Sequence, residues 1–156
     1  MKKEKNAAIP LFSLVNEPKN LNKFVFGTSD TDKQKKDTLT FALNRYKKSA
    51  NISGKQLAEI IGTSRSLSYC YLNGTRSITF DMLIIICISL RLHPLRTVHL
   101  FELSHYKLRK NDSRYYILKE FLYGCAFMEC YTVKACNQKL IENGFHPLIL
   151  DLEDKQ

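Results

Sequence analysis

The sequence predicts an all-α fold, and three observations support this prediction. Apolar residues recur at helical spacing in segment after segment, as at Leu39, Ala42, Leu43 and Tyr46. Polar or glycine-containing stretches that include good helix-capping residues separate these segments. No segment alternates convincingly between apolar and polar residues, as a half-buried strand would. We therefore expect about seven helices rather than a sheet.

Length and charge limit the domain count and the class of partner. The 156 residues suffice for one domain, or for a small domain with an extension. The net charge is +9, and residues 38–76 alone carry six lysines and arginines against one acid. Residues 77–156 are nearly neutral, with ten basic and nine acidic side chains. A positive field on the N-terminal half favours a polyanion, either nucleic acid or an acidic membrane face.

The chain begins with a segment for which we predict little regular structure. Residues 1–36 are rich in Lys, Asn, Asp and Thr, so we expect a loosely ordered basic N-terminal segment. The first helix is expected over about 38–48, with Asp37 or Thr38 as its cap.

The second helix, 54–61, has a strong start signal. Ser53 and Gln56 have the S-x-x-Q spacing of a capping box. Gly62 suits the end of this helix because glycine readily adopts a left-handed turn. Its packing residues are expected to be Leu57, Ala58, Ile60 and Ile61.

The third helix is expected over 65–72, after the cap residue Ser64 and before Asn73-Gly74. At about 100° per residue, its side chains fall on two opposite arcs. The inner arc holds Leu67, Ser68, Tyr71 and Leu72. The outer arc holds Arg65, Ser66, Tyr69 and Cys70. A short helix that presents an arginine and polar groups beside a basic surface suits the DNA major groove.

The apolar segment 80–91 predicts a buried helix. Its apolar run is about eleven residues, whereas a membrane-spanning helix needs about 20. A helix that is apolar all round is covered on more than one face. We therefore expect it between the helices before it and the C-terminal part, and we expect no membrane partner.

Three further helices are expected in the C-terminal part. The first begins at Pro94, since proline suits a first helical turn, and we expect it to be lined by Leu95, Val98, Leu103 and Tyr106. After a break at 111–113, a helix over about 114–128 directs inward Ile117, Leu118, Phe121, Leu122 and Cys125. The last helix, 133–143, is capped by Thr132. Phe145 and Leu148 are expected to fold back onto the core.

The cysteines predict free thiols rather than disulfides. The five cysteines form no C-x-x-C pair, their number is odd, and the N-terminus is not signal-like. We therefore expect a reducing, cytoplasmic location and buried structural thiols. Cys125, Cys130 and Cys136 with one histidine could form a metal cluster, but their spacings match no common zinc pattern. We expect no metal or other cofactor.

The run L-A-E-I-I-G-T-S-R-S-L-S-Y-C-Y-L-N-G-T-R, residues 57–76, resembles the helix-turn-helix of Cro/Xre-type phage repressors and bacterial regulators. The resemblance covers about residues 39–92. It implies a phage-repressor-like helix-turn-helix bundle, with a DNA-binding domain at 37–92. The C-terminal half, 93–156, more loosely resembles the helical extensions of such regulators in Gram-positive bacteria and their prophages, and implies a dimerisation or effector module.

The same resemblance implies roles for individual residues. The residues that would face DNA bases are Arg65, Ser66, Tyr69 and Cys70. The residues that would contact phosphates are Ser53, Lys55, Asn73, Thr75 and Arg76. Arg65 is the best candidate for reading a base, because a guanidinium can bind guanine bidentately. Lys55 and Arg76 would position the protein without reading sequence.

We therefore expect a sequence-specific DNA-binding transcriptional regulator, most simply a repressor that binds double-stranded DNA as a homodimer. A protein or peptide effector at the C-terminal helices is a further expectation. The alternative is a protein-binding module, such as an antitoxin or a phage-encoded inhibitor, which retains the helix-turn-helix scaffold. Cro/Xre-type regulators often have glutamine at the position of Gly54 and usually have apolar residues at the positions of Thr63 and Ser68, and these departures favour the alternative. An enzyme is not expected, since the sequence lacks a glycine-rich phosphate loop, a G-x-S-x-G motif and a paired-carboxylate spacing.

Overall fold

The computed structural model describes residues 37–110 and 112–148, and its regular structure is entirely helical. The helices are α1 (Leu39–Ser49), α2 (Gly54–Ile61), α3 (Arg65–Asn73), α4 (Phe80–Ser89), α5 (Pro94–Ser104), α6 (Ser113–Gly124) and α7 (Val133–Glu142). This confirms the predicted all-α class. The described residues belong to one compact unit that begins at Asp37. The predictions for residues 1–36, for Asn111 and for residues 149–156 of the C-terminal extension lie outside the described residues.

Side-chain caps determine where most of these helices begin. At each of six helix starts, a side-chain oxygen accepts a hydrogen bond from a backbone N–H two or three residues further on. These cap residues are Thr38, Ser53, Ser64, Thr79, Asp112 and Thr132. In α2 the capping box is complete: the Gln56 N–H donates to Ser53 Oγ at 3.2 Å, and the Ser53 N–H donates to Gln56 Oε1 at 2.8 Å. The predicted caps of α2, α3 and α7 are therefore confirmed.

The core is built around α4. Every residue from Met82 to Ile88 is buried. The helix packs against α2 and also against α6 and α7. Its predicted position between the preceding helices and the C-terminal part is therefore confirmed, and both parts share one core.

The prediction of the inward face of α5 is wrong. Of the four predicted residues, Leu103 is half-buried, but Leu95, Val98 and Tyr106 are each more than a third exposed. The buried residues of this helix are Thr97, Leu100 and Phe101. Both arcs of α5 carry apolar side chains, so helical spacing alone does not choose between them. Packing against α1 and α6 selects the arc that contains Thr97, Leu100 and Phe101.

Two further predictions need correction. Ile60, predicted to pack α2, is 45% exposed, because Leu57, Ala58 and Ile61 already fill the buried side of that short helix. The sixth helix ends at Gly124 rather than near Met128. The ring of Tyr131 lies where a side chain on Gly124 would be, so the chain turns there and returns over the end of the helix.

The chain after α7 folds back as predicted. Leu148 is buried, and its N–H donates to Asn137 Oδ1 at 2.8 Å. A left-handed Gly144 (φ 77°) provides the reversal. This return covers one side of α7 and completes the described part of the core.

Candidate nucleic-acid interface

A three-residue turn joins α2 to α3 and sets their relative direction. Gly62 ends α2 in the left-handed conformation (φ 73°), which glycine adopts without steric cost. The Thr63 N–H donates to the Ala58 carbonyl at 3.0 Å and so closes the last turn of α2. Ser64 then caps α3 by accepting from the Leu67 N–H at 3.1 Å. Both ends of the turn are therefore fixed by local hydrogen bonds.

The inner arc of α3 anchors the helix to α2. Leu67, Ser68 and Tyr71 are buried, as predicted. The Ser68 hydroxyl donates to the Gly54 carbonyl at 3.4 Å, so this buried polar group is not left without a partner. The small side chain of Ser68 allows the start of α2 to lie close to α3.

The outer arc of α3 faces away from this core. Arg65, Ser66 and Tyr69 are exposed, and Tyr69 is 68% exposed. Cys70 is half-buried. The structure therefore brings the four predicted base-facing residues to one side of α3, with the arginine in its first turn. A helix with this arc exposed has the form that enters a major groove.

The predicted phosphate contacts lie at two helix ends that are close to one another. Ser53 and Lys55 are exposed at the start of α2. Gly54, between them, lies beside Leu72 near the end of α3. The other predicted contacts, Asn73, Thr75 and Arg76, follow directly after Leu72. The two groups therefore share one end of α3, while Arg65 stands at the other end.

Hydrogen bonds within this patch limit what its side chains can offer. Asn73 Oδ1 accepts from the backbone N–H of Thr75 at 3.0 Å and from the Thr75 hydroxyl at 2.7 Å. The Arg76 backbone N–H donates to the Cys70 carbonyl at 3.3 Å, and its side chain is half-buried. Ser53 Oγ serves as the cap of α2, but its hydroxyl proton can still be donated to an anion.

Asn44 supports α3 in a way that the sequence analysis missed. Its side-chain amide donates one hydrogen to the Leu72 carbonyl at 2.7 Å and the other to the Thr40 carbonyl at 2.9 Å. The first of these bonds ties α1 to the C-terminal end of α3. No local signal could have revealed it, because the two residues are 28 positions apart.

A polar network in turn ties α1 to α5. The Tyr46 hydroxyl lies 2.7 Å from His99 Nδ1, and His99 Nε2 lies 3.3 Å from Asp37 Oδ2. Burial raises the pKa of Tyr46 to about 12, so its hydroxyl remains protonated at neutral pH. Burial also lowers the pKa of His99, against the opposing effect of Asp37. The tautomer that fits accepts from Tyr46 at Nδ1 and donates to Asp37 at Nε2.

The thiols are distributed differently from the expectation. Cys87, Cys125 and Cys136 are buried as predicted, but Cys130 is exposed because it lies in the turn between α6 and α7. Burial raises the pKa of Cys136 to about 12, which makes it an inert thiol at neutral pH. Within residues 37–110 and 112–148, no three His, Cys, Asp or Glu side chains are grouped so that they could hold a metal ion. Across the same residues, no helix has both the length and the apolar character to cross a bilayer.

The chain was compared with protein-family models, curated proteins and solved structures. None of the three comparisons found a match. The resemblance to Cro/Xre-type regulators therefore stays a prediction, and the functional argument depends on the geometry of α2 and α3.

Proposed function

We propose that this protein is a sequence-specific DNA-binding transcriptional regulator, a repressor of phage or bacterial origin that acts in the bacterial cytoplasm. In this proposal α3 enters the major groove and α2 lies across the backbone. The observation that carries the proposal is the division of α3 into a buried inner arc and an exposed arc with an arginine in its first turn. The excess of basic residues in 38–76 supplies the sequence-independent attraction to phosphates.

Each exposed side chain has a defined role in this proposal. The base-facing set is Arg65, Ser66, Tyr69 and Cys70. The phosphate-contacting set is Ser53, Lys55, Asn73, Thr75 and Arg76. Arg65 contributes bidentate hydrogen bonds to guanine, whereas Cys70 contributes only van der Waals contact because a thiol is a weak hydrogen-bonding group. Lys55 neutralises a phosphate.

The proposed assembly is a homodimer, because a reading helix of nine residues contacts few bases alone. Two copies would read half-sites about 34 Å apart on one face of the duplex. The near-neutral C-terminal helices would supply the dimer contacts or an effector site.

The test begins with selection of bound genomic fragments by the full chain, followed by sequencing. Affinity for the selected duplex and for a scrambled duplex is then measured by fluorescence anisotropy over a range of salt concentrations. Arg65→Ala should reduce the difference in binding free energy between the selected and the scrambled duplex by about 1–3 kcal/mol. Lys55→Ala should weaken binding to both duplexes alike. It should also reduce the slope of log affinity against log salt concentration by about one. Lys134→Ala, an exposed lysine on α7, is the control and should change neither.

The proposal makes a sharp distinction between these variants. If Arg65→Ala and Lys134→Ala behave identically on both duplexes, α3 does not read DNA. If no fragment is enriched above the scrambled duplex, the protein is not a sequence-specific regulator.

A second candidate function is that of a protein-binding module such as an antitoxin or an inhibitor. Large apolar side chains are exposed on all three of the first helices, namely Phe41, Ile60 and Tyr69. Exposed apolar groups of this size are typical of protein interfaces. A pull-down would support this function if the chain retained a stoichiometric protein partner in the absence of DNA. The variant Ile60→Asp should then fail to retain that partner.

A further inference from the structure

Two adjoining cavities, each open to solvent on one side, lie around one short connection in the C-terminal part. The connection, residues 105–108 between α5 and α6, lines both cavities together with Tyr115. One has a volume of about 520 Å³ and the other about 530 Å³. Cavities of this size hold small organic ligands.

The two cavities differ in chemistry, and we name them by that difference. The cationic cavity is lined by Lys107, which it shares with the other cavity, and by Arg109 and Arg114, with Asp112 as its carboxylate. Asp112 is already engaged as the cap of α6, where it accepts from the Arg114 backbone N–H at 3.0 Å. Arg114 Nη2 lies 3.3 Å from Asp81 Oδ1, while its Nε is buried without a hydrogen-bond partner among the described residues. Even with Asp81 counted, three cationic side chains face two carboxylates on this side, so an anionic group is favoured there.

The aromatic cavity is bordered by part of the exposed apolar surface of α5 and of the chain that follows it. Val98 and Tyr106, which the spacing predicted to be in the core, line this cavity. Phe101, Tyr115 and Tyr123 form the rest of its aromatic wall, and Thr97 and Glu102 are its polar members on α5. A planar or acyl group bound here would cover apolar surface that is otherwise exposed to water.

One residue connects this wall to the candidate DNA-binding helix. The Tyr106 hydroxyl donates to the Ile78 carbonyl at 3.1 Å. Ile78 lies in the loop that follows α3 and leads into α4. The Tyr106 ring also packs edge-on against Phe80 in the first turn of α4, with ring centroids 5.6 Å apart. A ligand that moves Tyr106 would therefore move the loop that follows α3.

We propose that these adjoining cavities bind a small amphipathic anion, with an aromatic or acyl body in the aromatic cavity and an acidic head group beside Lys107 and Arg109. We further propose that occupancy changes DNA affinity through the contact between Tyr106 and Ile78. The binding half of this inference stands on the cavities alone, whereas the coupling half rests on the proposed function.

The binding half is tested on the full chain with 8-anilinonaphthalene-1-sulfonate, a fluorescent aromatic anion, and with the neutral N-phenyl-1-naphthylamine. The anion should bind saturably with one site per chain. The double variant Lys107→Ala/Arg109→Ala should weaken binding of the anion about tenfold and binding of the neutral probe less than about twofold. Val98→Asp should weaken binding of both probes, because it places a carboxylate in the apolar wall of the aromatic cavity.

The control is Ile141→Asp, which changes another exposed apolar residue, on α7. This variant should bind both probes with unchanged affinity. Unaltered urea midpoints establish that each variant is folded. The assignment would be overturned if Ile141→Asp weakened probe binding as much as Val98→Asp does. It would also be overturned if the double variant bound the anion with unchanged affinity.

The coupling half is tested on the selected DNA fragment. Saturating anion should change the DNA Kd by about fivefold or more, which is the lower range of allosteric coupling. Tyr106→Phe keeps the ring but removes the hydrogen bond to Ile78, so it should keep anion affinity and lose most of that change. Saturable anion binding with an unaltered DNA Kd would overturn the coupling alone. Absence of any DNA binding would instead count against the proposed function and leave the ligand result standing.

Discussion

At the scale of single residues, the position of α3 depends on two polar side chains, the half-buried Asn44 and the buried Ser68. Asn44 uses both amide hydrogens, one on the Leu72 carbonyl of α3 and one within α1. The Ser68 hydroxyl of α3 donates to the Gly54 carbonyl at the start of α2. Hydrogen bonds of this kind give orientation as well as stability, because they are satisfied in only one arrangement of the helices.

Removal of the Asn44 amide should therefore be measurable. Asn44→Ala leaves the Leu72 carbonyl without its partner and should lower the free energy of unfolding by about 1–2 kcal/mol. Asn44→Asp should cost more at neutral pH, because a carboxylate would face two carbonyl oxygens. Urea titration followed by circular dichroism measures both. Gln138→Ala, which removes an exposed amide bonded to Glu142 on α7, should cost less than about 0.5 kcal/mol. Equal midpoints for Asn44→Ala and Gln138→Ala would rule out this role for Asn44.

His99 should make stability depend on pH. Burial lowers the pKa of folded His99 below its ordinary value of 6.5, so the unfolded chain binds the proton more readily. The stability linked to His99 is complete above pH 6.5 and is lost as the pH falls through the folded pKa. The urea midpoint of the wild-type chain should therefore decrease with acidification in this range, and that of His99→Gln should decrease less. His146→Gln, at an exposed histidine, is the control. Parallel pH profiles for the wild type and His99→Gln would contradict the prediction.

At the scale of helices, replacement of two glycines by alanine should change stability in opposite directions, because their surroundings differ. Gly54 lies in the first turn of α2, and a methyl group there would make an ordinary contact, 3.5 Å from Leu72 Cδ1. Gly54→Ala should therefore stabilise the protein by about 0.5–1 kcal/mol. Gly124, at the end of α6, is covered by the Tyr131 ring, which packs on Phe121 with ring centroids 4.9 Å apart. Gly124→Ala should therefore destabilise it by about 1–3 kcal/mol. Urea denaturation of both variants checks the signs, and equal signs would refute the packing argument.

The same helices show which features a sequence can predict. The starts of α2, α3 and α7 were predictable, because each cap and its target N–H lie within three residues of one another. The buried α4 was predictable from its unbroken apolar run. The inward face of α5 was not, because α1 and α6 choose between two apolar arcs. The end of α6 was not, because Tyr131 lies seven residues after Gly124.

The candidate interface divides in the same way. The outward arc of α3, from Arg65 to Cys70, follows from helical periodicity and was predictable. Its supports were not predictable, since Asn44 and Leu72 are far apart in sequence, and Tyr46 and His99 are 53 positions apart. The sequence therefore identifies which side chains α3 presents, while the structure identifies which contacts hold α3 in place.

At the scale of the whole molecule, charge and core are organised differently. Net positive charge is concentrated in residues 38–76, while residues 77–156 are nearly neutral and form ion pairs between helices. Lys139 Nζ lies 2.6 Å from Glu120 Oε2, and Arg114 lies 3.3 Å from Asp81. The core, by contrast, is continuous through α4. The excess of basic side chains is therefore confined to one part of the chain, whereas the core joins both parts into one folding unit.

This shared core predicts a single unfolding transition. The chain contains no tryptophan, so Tyr69→Trp on α3 and Tyr116→Trp on α6 place one probe in each part at exposed positions. Because α4 contacts α2, α6 and α7, both probes should report the same urea midpoint. Leu83→Ala, in the centre of α4, should lower the free energy of unfolding by about 2–5 kcal/mol and shift both midpoints together. Two separate midpoints would mean that α4 stabilises only one part. The C-terminal cavities could then not be coupled to α3 through the core, and Tyr106 would be left as the route between them.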